Sequence, residues 1–254
     1  MINNANHDTL VTNQFGPRAN AYLTSAVHAS GADLDCMAEL IGARPNAKAL
    51  DVGCGGGHAA YRLAGLVKEV VACDLSEKML AVVREEAAQR GLRNIVTQLA
   101  VAESLPQQDR AFDVAVTRYS AHHWRDVPAG LAQLRRVLAP NGIGVVMDVI
   151  APEMPLLNTW LQSMELLRDP SHVCNGSLSQ WTNWLAQAGF VIDAVHQFRL
   201  RLEFGAWVER IQTPPAHVQA IRSLQQMASA EVREYFALES DGSFTVDSVV
   251  IALR

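Results

Sequence analysis

Residues 50–58 read Leu50-Asp51-Val52-Gly53-Cys54-Gly55-Gly56-Gly57-His58, preceded by a β-branched apolar run at 47–52 and followed by residues with helical spacing. A strand that ends in alternate glycines and passes straight into a helix suits a ligand that lies against backbone. Glycine tolerates the tight turn, and no side chain stands in the way. A dinucleotide fingerprint would need Gly53, Gly55 and then glycine or alanine at position 58, where this chain has His58. Pyrophosphate binding thus loses its third glycine.

Working outward, the strand-then-helix alternation recurs. Short β-branched runs lie at 47–52, 69–73, 95–99, 112–116 and 142–149, separated by amphipathic helical stretches. In the second of these helices Ser76 reads as N-cap and Gly91 as the stop. Near-continuous apolar strands with helical crossovers predict a mostly parallel sheet covered on both faces. Ligands of such sheets bind at the carboxyl ends of the strands. After Val149 the pattern changes: a link with Pro152 and Pro155, helices near 156–167 and 178–188 around the loop RDPSHVCNGS, a long strand at 190–204, a helical insert from about 206 to 238, and a closing strand at 243–253. The last two strands need no crossover, so an antiparallel edge is expected.

The composition bounds the partners. With 254 residues, 49% of them hydrophobic, the chain can bury a substantial core without disulfides. Its 21 Lys+Arg against 26 Asp+Glu give a net charge of −5 with no long run of like charge, so nucleic acid and anionic membrane surfaces are not expected partners. Residues 1–14 have no Lys, Arg or apolar core, which does not fit a secretory signal, and the apolar stretch 143–150 is broken by Asp148. A cytoplasmic location is the expectation. Cys36, Cys54, Cys73 and Cys174 form no C-x-x-C pair and read as buried thiols.

A second landmark sits one strand further on. Asp74, in VVACDLS, follows the second strand about 20 residues after the glycine loop, where a carboxylate can accept from the two hydroxyls of a ribose. A nicotinamide dinucleotide offers the same hydroxyls, and Asp74 also suits a helix N-terminus beside Ser76.

Five ordered segments, LDVGCGGGH, CDLSEKML, AESLP, FDVAVTRYSAHHW and LRRVLAPNGIG, resemble class I S-adenosylmethionine-dependent methyltransferases of the ubiquinone/menaquinone-biosynthesis-like (type 11) group. RDPSHV and SLSQW are similar to a subgroup of uncharacterised bacterial members. The resemblance implies a Rossmann-like seven-stranded sheet of order 3-2-1-4-5-7-6, its last strand antiparallel, with helical lid elements. It implies one domain, 1–254: lid helices within 1–45, a cofactor core at 46–150, and a C-terminal part at 151–254 whose insert at about 205–240 caps the acceptor.

It also implies that Asp51, Gly53, Cys54 and Gly55 hold the methionyl part of S-adenosylmethionine and that Asp74 and Leu75 hold the ribose side. Val101, Ala102 and Glu103 border the adenine. In the family's D-A-E-x-L-P segment the first carboxylate often takes the adenine amino group. Here that position is Val101, which leaves the Ala102 backbone and apolar walls to do so, with Glu103 equally readable as a surface charge. A helix over 14–22 would fold across the cofactor. Within it Arg18 either pairs with the methionyl carboxylate or is a solvated lid charge, and Tyr22 either covers the sulfonium or packs the lid. Arg118 enters the ligand site, or forms a salt bridge within the domain.

Methyl transfer is an in-line displacement in which positioning alone can supply on the order of 7–11 kcal/mol. A general base adds roughly 10²–10⁴-fold for a phenolic or enolisable acceptor. The base candidates are His122 and His123 after the fourth strand and His172 in the later loop, with Trp181 and Trp207 as possible walls. Neighbouring side chains diverge on an extended backbone, so one of His122 and His123 is expected to face the pocket and the other to pack. Thr117-Arg118-Tyr119-Ser120 lacks the Pro-Pro-Tyr signature of nucleic-acid amino methylation, and only Asp148 lies near the strand ends as a metal ligand, so no metal is expected. The reading is methyl transfer to carbon or oxygen of a small, partly apolar molecule by a monomer or homodimer. Two rivals remain: a cofactor-binding sensor or partner protein without transfer, and a nicotinamide oxidoreductase, against which His58 argues.

Overall fold

The structure, a computed structural model, describes residues 6–23 and 31–254. Its centre is a sheet of β1 (Arg44–Val52), β2 (Val67–Asp74), β3 (Ile95–Leu99), β4 (Phe112–Arg118), β5 (Leu138–Ile150), β6 (Ile192–Leu202) and β7 (Phe244–Leu253), in the order β3-β2-β1-β4-β5-β7-β6. The first five strands pair in parallel, and β7 runs antiparallel to both β5 and β6. This is the Rossmann-like order implied by the resemblance. Helices pack on both faces: Leu131 and Leu134 face one cluster with Leu50 and Val146, while Met37, Leu63 and Val83 face the other with Val70 and Val114.

Parallel register sets the site. Val52 pairs with Cys73 on one side and Thr117 on the other, Arg118 pairs with Met147, and Asp74 pairs with Leu99. The carboxyl ends of β1, β2, β4 and β5 therefore finish in one row. Asp51, Asp74, Arg118 and Asp148 are polar residues at those ends of otherwise apolar strands, and the chain turns there into the loops that face a ligand. Ser76 caps the Glu77–Gln89 helix by accepting from the Met79 N–H, and Gly91 follows its end with φ +70.

Some elements depart from the pattern. The N-terminal helix is not one piece over 14–22: helix His7–Phe15 passes through a 3₁₀ turn, Gly16–Arg18, into Ala19–Leu23. Pro17 sits in that turn, where its missing N–H costs nothing but the α-helical ladder cannot continue. The remaining lid residues of the 1–45 segment, 1–5 and 24–30, lie outside the described residues. The insert is three short helices, Phe204–Glu209, Pro215–Gln226 and Ala230–Tyr235, the latter two packed on helix Pro155–Arg168. Among the described residues, no helix is long and apolar enough to cross a membrane.

Candidate active site

One cleft, about 1540 Å³ counting its open mouth, runs over the row of strand ends. One half of it is the glycine loop. Gly53 has φ +68, and a Cβ there would fall 1.8 Å from Ser120 Oγ, so only glycine fits between β1 and the turn after β4. Gly55 has φ +49 with open space where a side chain would go, leaving its backbone bare to the cleft. Its N–H donates to Asp74 Oδ2 at 3.0 Å, and the Ser76 N–H donates to Asp74 Oδ1 at 2.8 Å. Each carboxylate oxygen keeps a further acceptor position. Burial raises the Asp74 pKa, and those N–H groups work against it.

Asp51 is buried beneath the loop, and neither of its oxygens has a hydrogen-bond partner. Burial pushes its pKa up to about 7. The Ala60 N–H offsets part of this without closing a regular hydrogen bond, and the Asp74 carboxylate adds to it. A buried carboxylate in this condition is complementary to a ligand ammonium or to water that such a group holds. Leu75, Val101, Ala102 and Glu103 line the same half, as does Cys54. Glu103 Oε1 accepts from the Arg125 and Asp126 N–H groups at 2.9 and 3.3 Å, so its carboxylate holds the following turn while its body borders the cleft.

The other half is built on the turn after β4. Tyr119 takes a left-handed conformation, φ +49, which swings the chain into a 3₁₀ turn at Ala121–His123. His122 Nδ1 lies 2.6 Å from Asp148 Oδ1 at the end of β5. Burial alone would lower the His122 pKa, but the Asp148 charge and hydrogen bond, with Glu165 and Asp169 beyond, hold it above the ordinary value. His123 is pushed down to about 4 by burial and by His122, and its Nδ1 donates to the Ser171 carbonyl at 3.1 Å. His122 is therefore the more basic ring of the pair. Glu165, Arg168, Trp207 and Arg210 complete this half with Val149, Leu200 and Leu202.

The Methyltransf_11 family model, described as a methyltransferase domain, matches residues 50–146. The chain is similar to the uncharacterised protein YafE of Escherichia coli, 48% identical over 77% of this chain and 94% of that one. It is also similar to the uncharacterised methyltransferase YcgJ of Bacillus subtilis, 33% identical over 88% of each. This chain belongs to the methyltransferase family. The crystal structure of YcgJ superposes with a TM-score of 0.84 at 31% identity, over 87% of this chain and 97% of YcgJ. A ubiquinone/menaquinone biosynthesis C-methyltransferase, UbiE of Shewanella baltica, is 33% identical over 47% of this chain and 49% of that one.

In this methyltransferase the cleft brings together Asp51, Gly53, Cys54, Gly55, Asp74, Leu75, Val101, Ala102, Glu103, Arg118, Tyr22, His122 and His123. The expectation that only one of His122 and His123 faces the cleft does not hold. Both line it, with ring centroids 4.2 Å apart, because a 3₁₀ turn sets neighbouring side chains about a third of a turn apart rather than opposed. His172 does not line the cleft. Its ring lies 5.8 Å from that of His122 and its Nε2 bonds Gln162 Oε1 at 2.8 Å, so it backs the pair from behind. Trp181 is core packing and Trp207 is a wall.

Arg18 does not reach the cleft. Its guanidinium donates to the Gln14 carbonyl, and one nitrogen lies 3.5 Å from Gln212 Oε1. Arg118 is buried in an ion pair with Asp33 at 2.5 Å and borders the cleft from there. Burial lowers the His58 pKa, and its Nε2 bonds the Tyr22 carbonyl at 3.1 Å, which pins the Ala19–Leu23 helix onto the glycine loop.

Glu165, Arg168, Asp169 and Arg210 were not singled out from sequence, although a signal existed. Leu157, Leu161, Met164, Glu165 and Arg168 share the buried face of one helix, so two charges occupy an apolar stripe. Such charges need partners that periodicity alone does not supply. Among the described residues no group of three or more His, Cys, Asp or Glu side chains is placed to hold a metal ion.

Proposed function

We propose that this methyltransferase uses S-adenosylmethionine to methylate carbon or oxygen of a small, partly apolar molecule. The observation that carries the reading is a single cleft with the unpartnered Asp51 and the Asp74–Gly55 cradle at one end and the His122–Asp148 pair at the other. The cofactor supplies a methyl group on a sulfonium, ready for in-line displacement. Asp74 accepts the ribose hydroxyls, Asp51 answers the methionyl ammonium, and the bare Gly55 backbone lets that portion lie close. Leu75, Val101 and Ala102 form the adenine walls.

On the acceptor side, His122 donates through Nδ1 to Asp148, which fixes the ring and leaves Nε2 to take the acceptor's proton as the new methyl bond forms. Asp148 is a positioning residue, raising the basicity of the ring it holds. Val149, Leu200, Leu202 and Trp207 give the acceptor apolar walls. A C-methyltransferase of quinone biosynthesis among the relatives supports a small apolar acceptor. The N-terminal helices and the Phe204–Glu209 helix cap the cleft within one catalytic domain that works in the cytoplasm as a monomer or homodimer.

The test is incorporation of labelled methyl from S-adenosylmethionine into an extract of small bacterial metabolites. We expect transfer by the native protein and a loss of roughly 10²-fold or more in His122→Ala. Tight cofactor binding with no transfer to any fraction would instead favour a sensor or partner protein.

A further inference from the structure

The acceptor half of the cleft holds two guanidinium groups that the proposed proton transfer does not use. Arg168 sits at the end of helix Pro155–Arg168, buried, with Nε donating to the Trp207 carbonyl at 2.9 Å and its charged group 4.9 Å from the Trp207 ring centroid. Its closest carboxylate, Glu165 Oε2, is 3.9 Å away, at the outer edge of an ion pair. Arg210, six residues from the start of helix Phe204–Glu209, also lines the cleft; its backbone N–H caps the helix on the Ala206 carbonyl, while among the described residues its guanidinium closes no hydrogen bond or ion pair. Trp207 joins the two: Arg168 lies against its ring and bonds its carbonyl, and Arg210 caps the same short helix three residues further on, so both cations line one wall of the cleft.

Two adjacent guanidiniums, incompletely paired and walled by Val149, Leu200, Leu202 and Trp207, are costly without an anion between them. The charge already present limits what that anion can be. Glu165 already stands 3.9 Å from Arg168 and answers part of the pair's charge, which favours a singly charged anion over a phosphate. A guanidinium fork matches a carboxylate in two parallel hydrogen bonds.

We propose that Arg168 and Arg210 bind a carboxylate of the methyl acceptor, so that the substrate class is a small organic acid with an apolar body. This deepens the methyltransferase reading and rests on it for the word acceptor. The apolar walls hold the body against the His122 side of the cleft, and the arginine pair fixes which end points there. Arg168 also meets the Tyr22 side chain through a hydrogen bond, so the pair joins the helix over the cofactor half to the acceptor half.

The experiment uses matched acid and amide probes: phenylacetate with phenylacetamide, 4-phenylbutanoate with 4-phenylbutanamide, and octanoate with octanamide, plus phenyl phosphate. Each is titrated by ligand-observed NMR and calorimetry into the full chain, with and without S-adenosylhomocysteine. We expect at least one acid to bind tenfold or more tightly than its amide. That preference should fall below twofold in Arg210→Gln and in Arg168→Gln, and be partly retained in Arg210→Lys. Affinity for S-adenosylhomocysteine should stay within threefold in Arg210→Gln, with an unchanged melting temperature showing that the variant folds.

The proposal is overturned if no acid is preferred over its amide, if the preference survives in Arg210→Gln, or if phenyl phosphate binds more tightly than every acid. It is also overturned if Arg210→Gln loses S-adenosylhomocysteine, since the pair would then hold the methionyl carboxylate. An acid preference in a native protein that fails to bind S-adenosylhomocysteine would sink the methyltransferase reading and leave the anion site standing.

Discussion

Replacing Asp74 separates a ligand-binding carboxylate from a loop clamp, because the structure gives it both kinds of work. Its two oxygens accept from the Gly55 N–H at 3.0 Å and the Ser76 N–H at 2.8 Å, one each, leaving one further acceptor position on each oxygen for a ribose hydroxyl. In Asp74→Ala the two N–H groups lose their partner. Asp74 is only half-buried, so water replaces much of it, and the loss of stability is roughly 2 kcal/mol. For a chain of this size that is a fall of about 4–8 °C in Tm.

Cofactor binding loses two charge-assisted hydrogen bonds at about 1.5 kcal/mol each, some 3 kcal/mol or roughly 150-fold in Kd. Asp74→Asn keeps one acceptor oxygen and should lose about tenfold. Calorimetry with S-adenosylhomocysteine, beside thermal unfolding of the free proteins, reads both quantities. If Asp74→Ala melts earlier but keeps its Kd within threefold, the carboxylate only clamps the loop and the ribose assignment is wrong.

Three further outcomes follow from the same geometry. Asp148→Asn removes the charge that holds the His122 pKa up, so the ascending limb of kcat against pH should move to lower pH while the plateau falls on the order of 10²-fold; a limb that stays in place would show that His122 is not the titrating base. Asp51 titrates near 7 in the folded protein against an ordinary 3.8, so the ligand-free chain should lose stability as pH rises from about 4 through 7. An ammonium needs the ionised form, so affinity for S-adenosylhomocysteine should rise between pH 6 and 8 with proton release in calorimetry, and Asp51→Asn should flatten the dependence. Gly53→Ala puts a Cβ 1.8 Å from Ser120 Oγ and 2.6 Å from its Cβ at φ +68. It should cost roughly 1–2 kcal/mol from the left-handed backbone alone, plus the overlap, and Ser120→Gly should restore only the overlap part in a denaturation cycle.

The parallel sheet and the glycine loop were readable because each depends on local rules, whereas the strand order came only with the resemblance. Apolar strands with crossovers force a parallel sheet, and Gly53 and Gly55 stand where the backbone turns left-handed. Asp74 was readable for the same reason, since it ends a strand and precedes a helix cap. The acceptor half was harder to see. His122 and His123 lie together only because Tyr119 bends the chain into a 3₁₀ turn, a conformation that no glycine announces. The partner of His122, Asp148, was visible as an interruption in an apolar strand and as a carboxylate near the strand ends, but not as the group that holds His122. Arg210 lies 62 residues from Asp148 in sequence, and no periodicity brings it to the cleft; tertiary packing of the Phe204–Glu209 helix does. Arg18 and His172 were placed by neighbourhood along the chain, and the turn at Pro17 and the Gln162 contact took each of them away from the cleft.

The most direct test of the account is a pair of titrations at neutral pH, S-adenosylhomocysteine and NADH, each followed by calorimetry into the full-length chain. A cradle with His58 in place of the third glycine and an unpartnered Asp51 beneath it should bind the sulfur nucleoside at micromolar concentration and leave the dinucleotide without measurable heat. Binding of NADH with no response to S-adenosylhomocysteine would contradict it.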